Sequence, residues 1–154
     1  MSARLSQGGN QRFANQQTEY WFVEVVNSDR SLTLAREGQQ QEAILCGLQA
    51  PAMGHPLEAA SLDHLKQLLA TSAEDEVVGV VPVGRDSLDR LVVEVFVPTG
   101  GAEEIHVNTQ MVLDGFAAVG NTAEDCPNGL VMVTAEDRAK GAAVGLWQDS
   151  EVSE

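Results

Sequence analysis

Residues 44–57, ILCGLQAPAMGHPL, mark the place where a predicted strand gives way to a loop. The first residues are apolar and belong to a segment from Glu42 to Leu48 that has the composition of a strand. Pro51 and Pro56 lack the backbone N–H that a sheet requires, so the strand cannot continue through them. The stretch therefore predicts a third strand followed by a loop without Asp, Glu, Lys or Arg.

The residues before this stretch predict a β-hairpin. Tyr20–Val26 and Leu32–Ala35 are rich in aromatic and β-branched residues, and they flank residues 27–31, which favour a turn. The second strand leads through a turn at Gly38 into the third strand.

The residues after it predict helices and two further strands. Leu57–Leu69 has apolar residues at helical spacing. The segments Glu76–Val83 and Leu91–Val97 read as strands, and two helices follow, the first with Asn108 as its N-cap and Gly120 at its end. Five strands with a helix after the third, and helices at the end, are typical of an α+β fold: an OB-type five-stranded β-barrel with about three helices.

Length and composition indicate one globular domain with polar ends. A chain of 154 residues, 44% hydrophobic and 21% charged, corresponds to a single domain that buries roughly 68–70% of its unfolded surface. Residues 1–18 contain no apolar run long enough for a signal peptide or a membrane span, and we interpret them as a mobile tail. Residues 19–147 form the predicted domain, without membrane insertion, and the acidic residues 148–154 form a second tail.

The charge balance argues against a nucleic-acid partner. Nine basic residues against 23 acidic ones give a formal net charge of −14, whereas proteins that hold polynucleotides usually present a basic stripe. Because the chain has only two lysines, a polyanion-binding face would need arginines that each have carboxylates close by in sequence: Arg30, Arg36, Arg85 and Arg90.

Four stretches, in matching order, resemble the staphylococcal nuclease family. Residues 44–57 resemble its active-site turn, residues 86–97 (DSLDRLVVEVFV) its D-x-x-x-R strand, residues 107–117 (VNTQMVLDGFA) its V-N-x-x-L-V-x-x-G-x-A helix, and residues 135–147 (AEDRAKGAAVGLW) its last helix, which ends in Gly-Leu-Trp. The resemblance covers roughly residues 19–147. It implies the same barrel, with Trp147 packed against the body of the domain.

The resemblance also implies a reaction, for which most groups are missing here. In the family, Ca²⁺ and two Arg neutralise a phosphodiester while a carboxylate handles the attacking water. The first Arg falls on Ile44, and the metal-binding Asp of the turn falls on Gln49. The catalytic Glu falls on Ala52 or Met53, and the second metal-binding Asp falls on Arg30. Only Arg90 keeps the family's residue type.

Such losses predict that the chemistry is absent. Losing a general base costs about 10²–10⁴ in rate, and losing one donor to the transition state costs about 10²–10³. We therefore expect no catalytic residue, no metal ligand and no cofactor. The vestigial candidates are Arg90, Asp29 and Glu58, and a one-residue shift in the hairpin would bring Asp29 onto the metal position.

Histidines and cysteines indicate no second site. His55, His64 and His106 lack metal-ligand spacing and are interpreted as surface residues. Cys46 is interpreted as a buried thiol of the third strand and Cys126 as a loop residue. Without an export signal, this pair predicts no disulfide and a reducing, cytoplasmic location.

The sequence thus predicts a degenerate nuclease-fold domain that binds another protein. The predicted binding groove combines neutral residues around the positions of the lost charges with two arginines: Ile44, Gln49, Ala50, Pro51, Met53, Arg85 and Arg90. Two alternatives stay open: a divergent phosphodiesterase that uses Ca²⁺ with Asp29, Arg90 and Glu58, and single-stranded nucleic-acid binding without cleavage. A third possibility also remains: the groove is filled by the domain's own side chains, and the functional face lies elsewhere.

Overall fold

The computed structural model describes residues 17–148. The predicted tails, residues 1–18 and 148–154, therefore lie almost entirely outside the described residues. Within residues 17–148, no helix is both long and apolar enough to cross a membrane.

Five long strands close into a barrel, which confirms the predicted α+β fold of the OB type. They are β1 (Glu19–Val26), β2 (Leu32–Arg36), β3 (Gln39–Leu45), β5 (Val77–Arg85) and β6 (Leu91–Pro98). Antiparallel pairing runs in the order β3-β2-β1-β5-β6, and a parallel pairing of β3 with β6, including Ile44 opposite Val92, closes the ring.

Short strands and helices cover the barrel. The short strands are β4 (Leu48–Gln49), which pairs with β8 (Ala118–Val119), and β7 (Glu104–His106), which extends the sheet beyond β6. The helices are α1 (Glu58–Ala70), α2 (Val107–Leu113) and α3 (Gly129–Ala142), with 3₁₀ turns at Asn121–Asp125 and Gly145–Trp147.

The core follows from the alternation of side chains along the strands. Inward positions of β2, β5 and β6 are fully buried: Leu32, Leu34, Val78, Val80, Val93, Val95 and Val97. Helix α1 adds Leu65 and Leu69 to this core, and α2 adds Met111. Full burial of one such side chain contributes about 1.5–3 kcal/mol, so the packed barrel interior is the main source of stability.

The predicted third strand is displaced. It was expected over Glu42–Leu48, but β3 ends at Leu45, and a turn through Cys46 and Gly47 separates it from β4. Gly47 has a φ of +77°, and a Cβ there would lie 2.9 Å from the Cys126 sulfur. The strand ends because the chain turns sharply against the segment that carries Cys126.

Both predicted ends of the second helix are wrong. Asn108 was expected as the N-cap, but α2 begins at Val107, and Asn108 is buried inside the helix. Its side chain instead accepts a hydrogen bond from the Val95 N–H and donates to the carbonyl oxygen of Cys46. The helix ends at Leu113 rather than Gly120, because Gly115 takes the left-handed conformation with φ +83°.

The last helix is longer than predicted at its N-terminus. The resemblance places it within residues 135–147, but α3 begins at Gly129. The buried carboxylate of Glu94 accepts hydrogen bonds from both the backbone N–H and the side chain of Asn128, which fixes the start of the helix. The sequence offers no sign of this contact, because Glu94 lies 34 residues away on β6.

The cysteines were expected to be unpaired, and this prediction is wrong. Cys46 and Cys126 form a disulfide that links the turn after β3 to the loop before α3. Both side chains are buried. The argument for a reducing compartment rested on unpaired thiols, so it loses its basis.

Candidate functional site

A cavity of about 260 Å³ lies where the β1–β2 turn, the end of β3, and helices α1 and α2 meet. Seven of the residues that line it are apolar: Ile44, Leu45, Leu48, Ala50, Leu65, Met111 and Ala117. The four polar ones are Asp29, Arg30, Ser61 and Arg90. The Ser61 hydroxyl donates to the carbonyl oxygen of Phe116 at 2.8 Å, so it belongs to the packing of α1 rather than to the cavity's polar chemistry.

Arg30 enters the cavity from the β1–β2 turn, with a φ of +70°. One Nη donates to the carbonyl oxygen of Ser28 and the other to that of Glu58, at the start of α1. Its Nε is buried and has no hydrogen-bond partner within residues 17–148. Over the same residues, Arg30 forms no ion pair with a carboxylate. Its positive charge is therefore held in place by backbone carbonyl groups and not neutralised.

Arg90 lies beside it and is paired with carboxylates. Its Nε donates to Asp86 at 2.8 Å, and one Nη donates to Asp29 at 3.4 Å. The backbone N–H of Arg90 also donates to Asp86, and this hydrogen bond lowers the pKa of Asp86 below its ordinary value. Arg90, the arginine that keeps the family's residue type, is thus held at the cavity by the turn between β5 and β6.

Asp29, the weak candidate for a metal ligand, is already engaged. One carboxylate oxygen accepts hydrogen bonds from the hydroxyl and the backbone N–H of Ser31, at 2.6 and 2.9 Å. The hydrogen bond from the Ser31 hydroxyl is the main reason that the pKa of Asp29 lies below its ordinary value. The other oxygen faces Arg90. Asp29 therefore stabilises the turn that presents Arg30.

Glu58, the third vestigial candidate, does not line the cavity. Its carboxylate accepts a hydrogen bond from the Gly54 N–H at 2.9 Å, in the loop before α1. An acidic side chain in the first turn also interacts favourably with the helix dipole.

The structure brings together three residues of the predicted groove, Ile44, Ala50 and Arg90, at the cavity. The others lie apart from it. Gln49 is exposed on β4, Pro51 is buried, and Met53 is 92% exposed in the following turn. Arg85 lines a neighbouring cavity of about 520 Å³ and lies 3.7 Å from Asp89.

Sequence reasoning missed two kinds of cavity residue. Arg30 was named as a lost carboxylate and as one of four arginines that a polyanion-binding face would need, but it was not assigned to the groove. An arginine at a predicted metal position is itself a sign that the charge there is reversed. The apolar lining from the helices, Leu65 and Met111, could be predicted as core from its periodicity. That this part of the core borders a cavity depends on how α1 and α2 meet.

Comparison with known proteins supports the resemblance. The family model for the staphylococcal nuclease homologue matches residues 43–149, more than two thirds of the chain. Among curated proteins, no match was found. The match begins within β3, so the hairpin with Asp29 and Arg30 precedes it. With the barrel and this match together, the chain belongs to the staphylococcal nuclease homologue family.

Proposed function

We propose that this domain is a catalytically degenerate nuclease-fold module that binds another protein through the cavity at the former active site. The observation that carries the proposal is the lining itself. Apolar side chains outnumber polar ones, and an arginine stands where the resemblance places a metal-binding Asp. Largely apolar pockets with a few placed polar groups are typical of ligand-binding sites.

The arrangement of charges does not suit Ca²⁺. This cation takes six to eight oxygen ligands. The cavity lining contains one carboxylate, Asp29, which already accepts from Ser31 and faces Arg90. A cation at this place would also lie beside the unneutralised guanidinium of Arg30. We therefore propose that the domain works without a metal.

The same residues leave no group to handle water. At the positions of the catalytic Glu, Ala52 and Met53 have no titratable side chain, and the carboxylate of Glu58 is bound to the loop before α1. Arg30 and Arg90 could contact a phosphate, but neither guanidinium can act as the base that activates a nucleophile. A binding role accounts for these features, because binding needs neither a metal ion nor a catalytic base.

A cleavage assay tests the loss of activity. With millimolar Ca²⁺, we expect the purified protein to leave single-stranded DNA and RNA uncut, as in a buffer control. Cleavage that a chelator abolishes and that Arg90→Ala removes would establish the phosphodiesterase alternative instead.

A peptide array tests the binding role. Random peptides, each synthesised with a free and with an amidated C-terminus, are probed with the wild-type protein and with Ile44→Glu, which places a charge in the cavity lining. The matched control is Leu130→Glu, because Leu130 is an 84% exposed apolar residue on α3 outside this cavity. We expect peptides that bind the wild type and the Leu130 variant but not the Ile44 variant. If no peptide shows this dependence, the proposed function is wrong.

A further inference from the structure

The guanidinium of Arg30, with its buried Nε, indicates what kind of ligand the cavity takes. A buried donor without a partner is destabilising, so such a group in a native fold needs an explanation. Within residues 17–148, Arg30 Nε is such a donor, and Arg30 lines the cavity. Its two Nη atoms donate to the carbonyl oxygens of Ser28 and Glu58, which hold the guanidinium in this orientation.

The charges around the cavity favour a single negative charge. Arg90 is already paired with Asp29 and Asp86, whereas Arg30 contributes to the lining a positive charge that no carboxylate of residues 17–148 pairs. One ligand carboxylate therefore matches the single unpaired charge of Arg30. A phosphate dianion would leave an excess negative charge in a chain whose net charge is already −14. A carboxylate also matches the geometry of guanidinium N–H donors.

The size and lining of the cavity favour an apolar group next to that carboxylate. Its volume of about 260 Å³ is slightly below the roughly 300–1,000 Å³ of small-molecule pockets. It therefore suits one residue better than an extended chain. The side chains of Leu65, Met111 and Ala117 are buried and apolar, so this part of the lining suits an apolar group. At a peptide C-terminus, the carboxylate and an apolar side chain leave the same Cα atom, so both fit one small site.

We infer that the cavity binds the free C-terminus of a partner protein that ends in an apolar residue, without a metal ion. The terminal carboxylate lies against Arg30 and Arg90, and the last side chain enters the apolar part of the cavity. Arg30 thus replaces the positive charge of the metal that the fold family uses. This inference rests on the proposed function and specifies the part of the partner that is recognised.

The test compares the peptide Ac-Gly-Ser-Gly-Leu with a free C-terminus and the same peptide as its carboxamide, by NMR titration of the labelled protein in the presence of a chelator. The free acid should shift the amide signals of residues around Arg30 and Ile44. Amidation should weaken binding about tenfold or more, because charge-assisted hydrogen bonds are lost. Replacing the last Leu by Gly should weaken binding by a similar factor, because the apolar contact is lost.

Two variants assign the effect to the cavity. Arg30→Met should abolish the preference for the free acid. Arg36→Met is its control, because Arg36 lies over the Trp21 ring and pairs with Glu19 away from the cavity. Since Arg30 also joins Ser28 to Glu58, the second variant is Ala50→Glu, which adds a carboxylate to the lining and keeps those hydrogen bonds. It too should lose binding of the free acid.

The outcomes separate this inference from the proposed function. Equal binding of acid and amide, a requirement for Ca²⁺, or tighter binding of thymidine 5′-monophosphate than of the peptide would each overturn the inference. If the array yields peptides that depend on Ile44 but show no preference for a free C-terminus, the C-terminal inference fails and the protein-binding role stands. If the array yields none that depend on Ile44, both fail.

Discussion

Arg30 combines an uncommon backbone conformation with a fixed side chain. A φ of +70° is rare for a residue other than glycine and is held in place by its surroundings. Here the surroundings are the hydrogen bonds of Asp29 to Ser31 and of the Arg30 side chain to Ser28 and Glu58. The turn therefore positions the guanidinium rigidly at the cavity, which lowers the entropy lost when an anion binds.

Asn108 is a second residue whose role depends on burial. Replacing it by Ala removes the acceptor for the Val95 N–H and the donor to the Cys46 carbonyl oxygen. Each buried group left unpaired is destabilising by about 1–3 kcal/mol, so Asn108→Ala should lower the free energy of unfolding by about 2–5 kcal/mol.

The matched control for Asn108 is Gln110→Ala on the same helix. Gln110 is only partly buried and bonds to the side chain of Asp114 in the next turn. It should change stability by about 0.5 kcal/mol or less. Urea unfolding of both variants measures the difference, and equal effects would show that Asn108 has no special role in the barrel.

Glu94 gives the stability of the domain a dependence on acid. Burial raises the pKa of this carboxylate, but hydrogen bonds from His106 and Asn128 outweigh burial and hold it below its ordinary value of 4.5. A carboxylate whose pKa is lower in the folded state stabilises the fold above the unfolded pKa. This stabilisation is lost as the pH falls from about 4.5 through the lower folded value.

Glu94→Gln should therefore lower stability at pH 7 and flatten the fall in stability below pH 4.5. Urea midpoints measured from pH 7 down to the acid limit of folding test this. The control is Glu104→Gln on β7, because the Glu104 side chain is exposed to solvent. A slope that stays steep in the Glu94 variant would assign the acid sensitivity to other carboxylates.

At the scale of elements, the C-terminal 3₁₀ turn is fastened to the end of α2 by close backbone packing. The Leu146 N–H donates to the Gly115 carbonyl oxygen at 2.8 Å. A Cβ on Gly115 would lie 2.5 Å from the Val144 oxygen, and Gly115 has a φ of +83°. Trp147 is partly buried here, with the Lys140 ammonium 4.9 Å from the centre of its ring.

Gly115→Ala should separate these two elements. A left-handed conformation at a residue other than glycine is destabilising by about 1–3 kcal/mol, and the steric overlap adds about 1–3 kcal/mol. We expect a loss of about 2–5 kcal/mol in the free energy of unfolding. By contrast, Gly141 on α3 has open space around its Cβ position, so Gly141→Ala should raise stability by up to about 1 kcal/mol. Thermal and urea unfolding test the opposite signs.

For the whole molecule, the disulfide joins two parts of the chain that are 80 residues apart. Between Cys46 and Cys126 lie α1, β5, β6, β7 and α2, so the crosslink restricts most of the unfolded domain. Long closed loops of this kind stabilise a fold by about 2–5 kcal/mol in the chain-entropy model. The disulfide also anchors the loop that precedes α3 to the barrel.

A reductant should therefore lower the urea midpoint of the wild-type protein. The double variant Cys46→Ala with Cys126→Ala should have a free energy of unfolding about 2–5 kcal/mol below that of the oxidised wild type, similar to that of the reduced wild type. Its urea midpoint should not change when reductant is added. A wild-type midpoint that is the same with and without reductant would mean that the pair does not stabilise the fold.

The sequence by itself determined the barrel. Periodicity and turn residues located β1, β2, α1, β5 and β6 to within a few residues, because each of these elements is specified by local pattern. The four family-like stretches determined the same fold independently. They also identified the positions at which this chain differs from the residue types of the resemblance, because residue identity needs no coordinates.

Tertiary structure alone decided the features that depend on distant parts of the chain. Cys46 meets Cys126, Glu94 fixes the start of α3, and Asn108 faces the barrel because elements far apart in sequence pack together. The cavity likewise exists only where the β1–β2 turn meets α1 and α2. Local pattern could name Arg30, but only packing left its buried Nε without a protein partner within residues 17–148.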